Sequence, residues 1–286
     1  MKSIFNLRKI WYSLSSNQRF LIRRLYYFPK DTLDLLSGKR HKYVPPRGYI
    51  YTGSPASAKE YLEQGQKQVQ MLREYAQLKP NHHVLDIGSG IGRTAIALTE
   101  FLSEDGSYEG FDVVKRGVDW CNSRIHKDHA NFNFQYVPLF NDLYNTATLK
   151  ATEFIFPYAD NSVDLAFSFS VFTHMQIEEI QHYFSQIHRT LKPDGLCFST
   201  FFLYDDTSEE FIATNPTFSF PVKKDGFRLM SENVKSGNIA IHKNKLRRML
   251  ERENFEVIAI VDGFWKDNHP DGTKNEYQDI VVFKKM

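Results

Sequence analysis

Residues 84–93 read Val-Leu-Asp-Ile-Gly-Ser-Gly-Ile-Gly-Arg, the segment of this 286-residue chain whose residue types and spacing say most about chemistry. Two apolar residues lead into Asp86, and glycine then recurs at every second position, at Gly88, Gly90 and Gly92. The pattern predicts a buried strand, then a tight turn that opens a helix near Arg93. Glycine lets such a turn take positive φ and lets a ligand lie against bare backbone at a helix start. A dinucleotide fingerprint would need Gly or Ala where Arg93 stands, which disfavours a hydride-transfer reading. A second acid, Asp112, follows near the carboxyl end of the segment Tyr108–Val114, which reads as a second strand. At that spacing its carboxylate suits two ribose hydroxyls. The alternative is a helix N-cap for the segment beginning at Lys115.

These residues need a scaffold that brings strand ends together, and the chain supplies one. A helix is expected from Ala58 to Leu78, with Ser57 and Glu60 as its capping box. The glycine-turn helix (Thr94–Leu102), the Asp112 strand, a helix over 115–127 and a strand over Phe132–Val137 follow. After an irregular stretch, 139–160, come a strand (Val163–Phe169), a helix (Ile177–Leu191), a Lys192–Gly195 turn and a strand (Leu196–Phe202). Residues 203–240 form a long insertion, expected as a lid. A helix near 242–253 and two closing strands near 256–261 and 278–284 complete the chain. Strands alternating with helices argue an α/β, Rossmann-like, doubly wound sheet of seven mostly parallel strands with helices on both faces. Ligands of such sheets bind at the carboxyl ends of the strands, where both acids fall.

Composition narrows the class. The two cysteines, Cys121 and Cys197, match no metal spacing and no disulfide framework, which fits a cytoplasmic protein. No apolar run approaches the ~18 residues of a membrane span, and no signal cleavage site is evident. The formal charge of +2 conceals an asymmetry. Residues 1–48 hold eleven Lys or Arg against two Asp, a net of +9, and the remainder nets −7. This basic arm reads as short amphipathic helices: one through Ile4, Leu7, Trp11 and Leu14, one restarted by the capping box Ser15–Gln18 and stopped at Phe28-Pro29, and one over Asp31–Ser37. Pro45–Gly48 is expected as an extended linker. The division is therefore a basic helical extension over 1–53 and a main domain over 54–286. Three roles suit the arm: a helical layer or lid packed on the domain, an interfacial anchor on an anionic membrane surface, or nucleic-acid binding. The last is disfavoured, because no RNA-binding module accompanies it. A peripheral place on the inner face of the membrane follows from the second.

The acid followed by G-x-G-x-G resembles motif I of the class I S-adenosylmethionine (SAM) methyltransferases. Phe156–Asp164 resembles the segment before that family's fourth strand, and Ile187–Gly195 the segment before its fifth. The resemblance spans roughly residues 45–286, and Val171–Met175 with Gly263–Trp265 and Tyr277–Asp279 is similar to a bacterial small-molecule or glycan-modifying subgroup. It implies SAM as cofactor, with Asp86, Gly88, Ser89, Gly90, Gly92 and Arg93 around its methionine part and ribose. Asp112 and Val113 would hold the ribose hydroxyls, and Ser168, Phe169 and Ser170 would line the sulfonium side. Pro138 stands where many members place an Asp for the adenine amine. Leu139 would supply an apolar wall there, and Asp142 substitutes only if its loop folds back. The last two strands would close as a hairpin.

Methyl transfer from a sulfonium is an in-line displacement, in which positioning can supply about 7–11 kcal/mol. A sugar hydroxyl must also lose a proton, and His174, just past the fourth strand, is the candidate base. A loop-ordering histidine is the alternative. His242 is a weaker candidate base, and Tyr204, Asp205 and Asp206 are candidates for holding a polyhydroxylated acceptor. No acid cluster suggests a metal. The leading expectation is O-methylation of a small-molecule or glycan acceptor, most simply a sugar hydroxyl. The rivals are N- or O-methylation of another small molecule and a non-catalytic SAM-fold binding module.

Overall fold

The computed structural model describes residues 14–38, 40–53, 57–141, 147–234, 236–266 and 276–286. The helix expected around Ile4, Leu7 and Trp11 therefore lies outside the described residues, as does Asp142. A seven-stranded sheet organises the chain, built from β1 (His83–Ile87), β2 (Ser107–Asp112), β3 (Phe132–Tyr136), β4 (Val163–Ser168), β5 (Leu191–Phe201), β10 (Phe255–Val261) and β11 (Asp279–Lys285). Their order is β10-β11-β5-β4-β1-β2-β3. The β1–β2, β1–β4, β2–β3 and β4–β5 pairs are parallel, and β11 runs antiparallel to both β5 and β10. The order reverses at β1, where β2 and β4 diverge, so a crevice opens above the carboxyl end of β1.

Alternating side chains fill two layers. Val84, Leu165, Phe167, Phe198, Ile280 and Val282 face a core covered by α2 (Ala58–Ala76), α3 (Arg93–Leu98) and α4 (Lys115–Cys121). Leu85, Ala166, Cys197, Val281 and Phe283 face the opposite core, under α5 (Ile177–Thr190) and α7 (Lys243–Arg252). The Ser57 and Glu60 capping box forms as expected. Helix α4 passes into a π turn over Asn122–His126.

Three expectations need correction. The helix begun by the Ser15 capping box does not stop at Pro29: α1 runs Ser16–Leu36 straight through it. Proline there removes one intrahelical bond, but Asp31 and Asp34 beyond it are anchored. Asp31 accepts from the Arg47 and Gly48 backbone N–H groups at 2.9 and 3.0 Å, and Asp34 pairs with Arg47 and Arg40. The Pro45–Gly48 segment is accordingly no extended linker. It leads into a 3-10 turn (Arg47–Tyr49), and its neighbours Tyr43, Val44, Ile50 and Tyr51 are buried in the main core. The 203–240 insertion carries a second sheet, ordered β6-β9-β8-β7 from β6 (Leu203–Tyr204), β7 (Val222–Lys224), β8 (Phe227–Leu229) and β9 (Ile239–His242), with α6 (Glu209–Thr214) beside it. Phe202, Phe220 and Trp265 seat this sheet on the body.

Candidate active site

A cleft of about 770 Å³ lies at the carboxyl ends of β1, β2 and β4. The glycine turn forms its floor. Gly88, Gly90 and Gly92 all have positive φ, of 80°, 60° and 85°. A Cβ on Gly88 would stand 2.5 Å from Val171 Cγ2, so this turn accepts no larger residue without displacing the loop after β4. Gly88 and Ser89 N–H groups both donate to the Phe111 carbonyl, and Gly90 N–H donates to Asp112 Oδ2 at 2.8 Å. Strand β2 thus holds the turn that follows β1.

Both acids are buried. Asp86 accepts from the Tyr108 hydroxyl at 2.7 Å. Burial pushes its pKa up to about 7; the Tyr108 hydroxyl holds it down and the nearby Asp112 charge adds to the rise. Asp112 accepts from Val114 N–H at 2.7 Å and from the Tyr51 hydroxyl at 3.4 Å, besides Gly90. Burial pushes Asp112 up to about 6 against these backbone donors. The helix-cap alternative fails in its simple form, because the N-cap of α4 is Val114 and its side chain caps nothing.

Of the residues expected around the cofactor, Asp86, Gly88, Ser89, Gly90, Arg93, Asp112, Val113, Leu139, Phe169 and Ser170 line the cleft. Gly92, Pro138 and Ser168 do not. Gly92 is the N-cap of α3 with its back against Cys121 and Ile125, Pro138 is exposed, and the Ser168 hydroxyl is buried on Ser199 Oγ. Leu139 is buried and lines the wall beside Val113, with Phe140 and Asn141 continuing it. Ser170 sits in left-handed backbone, φ 60°, held by Thr200 Oγ1 and Gln278 Oε1.

Sequence reasoning missed one wall. Tyr51, Thr52 and Gly53, from the segment between α1 and α2, line the cleft. The Arg93 guanidinium donates to the Thr52 carbonyl at 2.8 Å and lies over the Tyr61 ring, so the helix start and this segment lock together. Such a contact between distant segments leaves no periodic trace. Phe111 also lines the cleft; its place beside Asp112 in β2 was the available signal.

His174 faces the cleft from the 3-10 turn Phe172–His174. Its Nδ1 is 3.0 Å from the Ser236 carbonyl, which can only accept. In the neutral ring this places the proton on Nδ1 and leaves Nε2 as the acceptor. Burial lowers the His174 pKa, opposed by the Ser236 carbonyl, so the neutral form prevails near pH 7. Ser236 is the one described residue of the insertion that lines the cleft. Tyr204, Asp205, Asp206 and His242 lie outside it. Tyr204 is buried, Asp205 pairs with Lys243 at 3.0 Å, and His242 caps α7 through Nδ1 while Nε2 meets Asp206 at 3.3 Å. The late aromatics Phe201, Phe202, Phe218, Phe220 and Trp265 are likewise packing residues elsewhere. Among the described residues no group of three acids, histidines or cysteines is placed to hold a metal.

The cleft fits a nucleoside with a charged tail. Bare glycine backbone lies beside two carboxylates, Ser89 Oγ is buried without a protein partner, and apolar walls flank both. Residues 85–199 match the family described as "Methyltransferase domain". A curated relative, Methyltransferase GfsG of Streptomyces halstedii, is 24% identical over 147 residues, 51% of this chain and 47% of its own length. The chain spans about half the length of that relative. Among solved structures, the [4+2]-cyclase SpnF is similar in fold, with a TM-score of 0.51, 15% identity and coverage of 95% of this chain and 96% of its own. A Burkholderia thailandensis 1,6-didemethyltoxoflavin-N1-methyltransferase with bound S-adenosylhomocysteine gives 0.50 and 15%, covering 79% and 78%. Matched region, sheet order and cleft agree: residues 85–199 carry a methyltransferase-domain pattern on a doubly wound sheet with its cleft at the switch point.

Proposed function

We propose that the chain transfers a methyl group from SAM to a hydroxyl oxygen of a sugar or glycan acceptor, with His174 as general base. The observation that carries this reading is the Ser236 carbonyl on His174 Nδ1, in the same cleft as the glycine turn and Asp112. That bond keeps the neutral ring's proton on Nδ1 and leaves Nε2 as the acceptor of a histidine that lines the cleft. SAM, when bound, supplies a methyl group on a positively charged sulfur. Asp112 would accept from the ribose hydroxyls, and Asp86 with the turn from Gly88 to Gly90 would hold the ribose and methionine end. The apolar wall at Val113 and Leu139 would take the adenine. Val171, Met175 and Tyr183 line the cleft together with His174; in this reading its Nε2 takes the hydroxyl proton as the oxygen bonds the methyl carbon and the methyl–sulfur bond breaks, leaving a neutral thioether.

The fold does not choose the reaction by itself, since a [4+2]-cyclase shares it. The deciding experiment is turnover of a sugar-led acceptor panel by the wild type and His174→Gln, with SAM affinity measured by calorimetry. A general base contributes about 10²–10⁴-fold, so kcat should fall by that factor with SAM affinity unchanged. Full activity of His174→Gln on an amine acceptor would instead establish N-methylation of another small molecule. Tight SAM binding without turnover of any acceptor would favour a binding module.

A further inference from the structure

We infer that the outward face of α1 is a docking surface for an anionic lipid membrane. Helix α1 has two faces of opposite use. Its inner face packs on the domain: Phe20 meets the Tyr51 ring edge-on at 5.9 Å, and the Arg24 guanidinium lies over Tyr49. Its outer face projects Leu21, Leu25, Tyr26, Phe28, Leu33 and Leu36 into solvent, with Leu25 at 67% exposure and Leu36 at 78%. Spacings of three and four residues place these side chains on one broad stripe. A soluble surface scatters its apolar residues singly, and a contiguous stripe of this size marks an interaction site.

Charge chooses the occupant. Residues 1–30 contain seven Lys or Arg and no acid. Lys30 is exposed beside the stripe, and Arg19 and Arg23 follow it along the same edge by helical spacing, whereas Arg24 turns in over Tyr49. The arm's two acids, Asp31 and Asp34, point inward, held by Arg40, Arg47 and the Gly48 backbone. The outward side therefore presents apolar residues bordered along one edge by cations, with no acid among them. That is the pattern of a helix lying in the plane of an anionic bilayer surface, apolar side in the acyl boundary and cations at the headgroups. A nucleic acid would use the cations and leave the leucines wet, and a second copy of this arm would set cation against cation. No described helix is long and apolar enough to cross the membrane, so the contact is peripheral. Lipid contact at α1 is independent of which acceptor occupies the cleft.

The test is vesicle co-sedimentation of the full chain, without SAM, on phosphatidylcholine vesicles with and without about a quarter phosphatidylglycerol. The variant Leu25→Glu/Leu36→Glu alters two exposed side chains, and its circular dichroism and SAM affinity check that the fold persists. Expected is binding to the anionic vesicles alone, weakened by about 0.5 M salt and reduced about tenfold or more in the double variant. Absence of binding to anionic vesicles, or equal binding to neutral ones, overturns the assignment. So does anionic binding that the double variant leaves intact. A dimer in sedimentation equilibrium that the same two substitutions dissolve, without lipid binding, would make a second copy the occupant. RNA binding without vesicle binding would make nucleic acid the partner.

Discussion

Gly90 N–H donates to Asp112 Oδ2 at 2.8 Å, which makes the turn after β1 and the acid ending β2 one hydrogen-bonded unit. Asp112 holds the turn and, in the function proposed above, also meets the ribose. Asp112→Ala should weaken SAM binding by about ten- to a hundredfold, the range for losing hydrogen bonds to a charged group. Asp112→Asn keeps an acceptor for Gly90 and should lose less. Calorimetric titration with SAM and S-adenosylhomocysteine measures both. An Asp112→Ala variant with unchanged affinity would remove Asp112 from the site.

Folding raises the pKa of both buried acids from 3.8, Asp112 to about 6 and Asp86 to about 7. Over that interval the folded chain holds protons that the unfolded chain has released. The resulting stability is fully present below about 3.8 and is lost as pH rises through about 6 and then about 7. Chemical denaturation of the cofactor-free protein across this interval should show the decline, and Asp86→Asn with Asp112→Asn should flatten it. SAM affinity should run the other way. In the function proposed above ribose hydroxyls would donate to ionised Asp112, so affinity should fall as the pH drops through about 6. A flat affinity profile would contradict the buried, raised carboxyl.

Gly88 combines φ of 80° with a Cβ position 2.5 Å from Val171 Cγ2. Gly88→Ala should cost about 1–2 kcal/mol from the left-handed backbone alone, and the clash adds to it. Val171→Ala in the same chain should restore the clash component and leave the backbone component. Thermal unfolding of the two single variants and the double variant separates them, as a positive coupling between neighbours. Additive losses would mean that the loop after β4 moves away freely.

The main sheet and the glycine-turn end of the cleft were legible because their signals are local. Asp86, the three glycines and Asp112 sit within single strand ends, and each strand's apolar pattern announced it. Pro138 and Ser168 stand one residue from the cleft lining at Leu139 and Phe169, and at a strand end one residue turns a side chain from the cleft to solvent or to the opposite core. The run of α1 through Pro29 was not legible, because Asp31 and Asp34 anchor it to residues more than ten positions away. The Tyr51 hydroxyl on Asp112, and the Ser236 carbonyl on His174, are contacts across 61 and 62 residues with no pattern in the chain between them. The small sheet of the insertion has strands of two to four residues, too short for an alternation to show.

Asp31 offers a direct measure of what keeps α1 on the domain. Its carboxylate accepts from the backbone N–H groups of Arg47 and Gly48, and Tyr51 follows three residues later. Gly48 itself is pressed against the α1 backbone, its Cβ position 2.9 Å from Arg24 Cα, so the turn and the helix pack closely. Asp31→Ala removes both acceptors and leaves two donors at a partly buried junction. The loss is about 1–3 kcal/mol, which predicts amide exchange at Arg47 and Gly48 faster by about ten- to a hundredfold, with the centre of β1 unaffected. Asp31→Asn retains one carbonyl oxygen and should fall between. Because the same turn carries Tyr51 toward Asp112, SAM affinity should drop in Asp31→Ala even though residue 31 lies outside the cleft. If exchange quickens and affinity does not move, Tyr51 contributes nothing to the ribose site, and the arm is tied to the domain for its outer face alone.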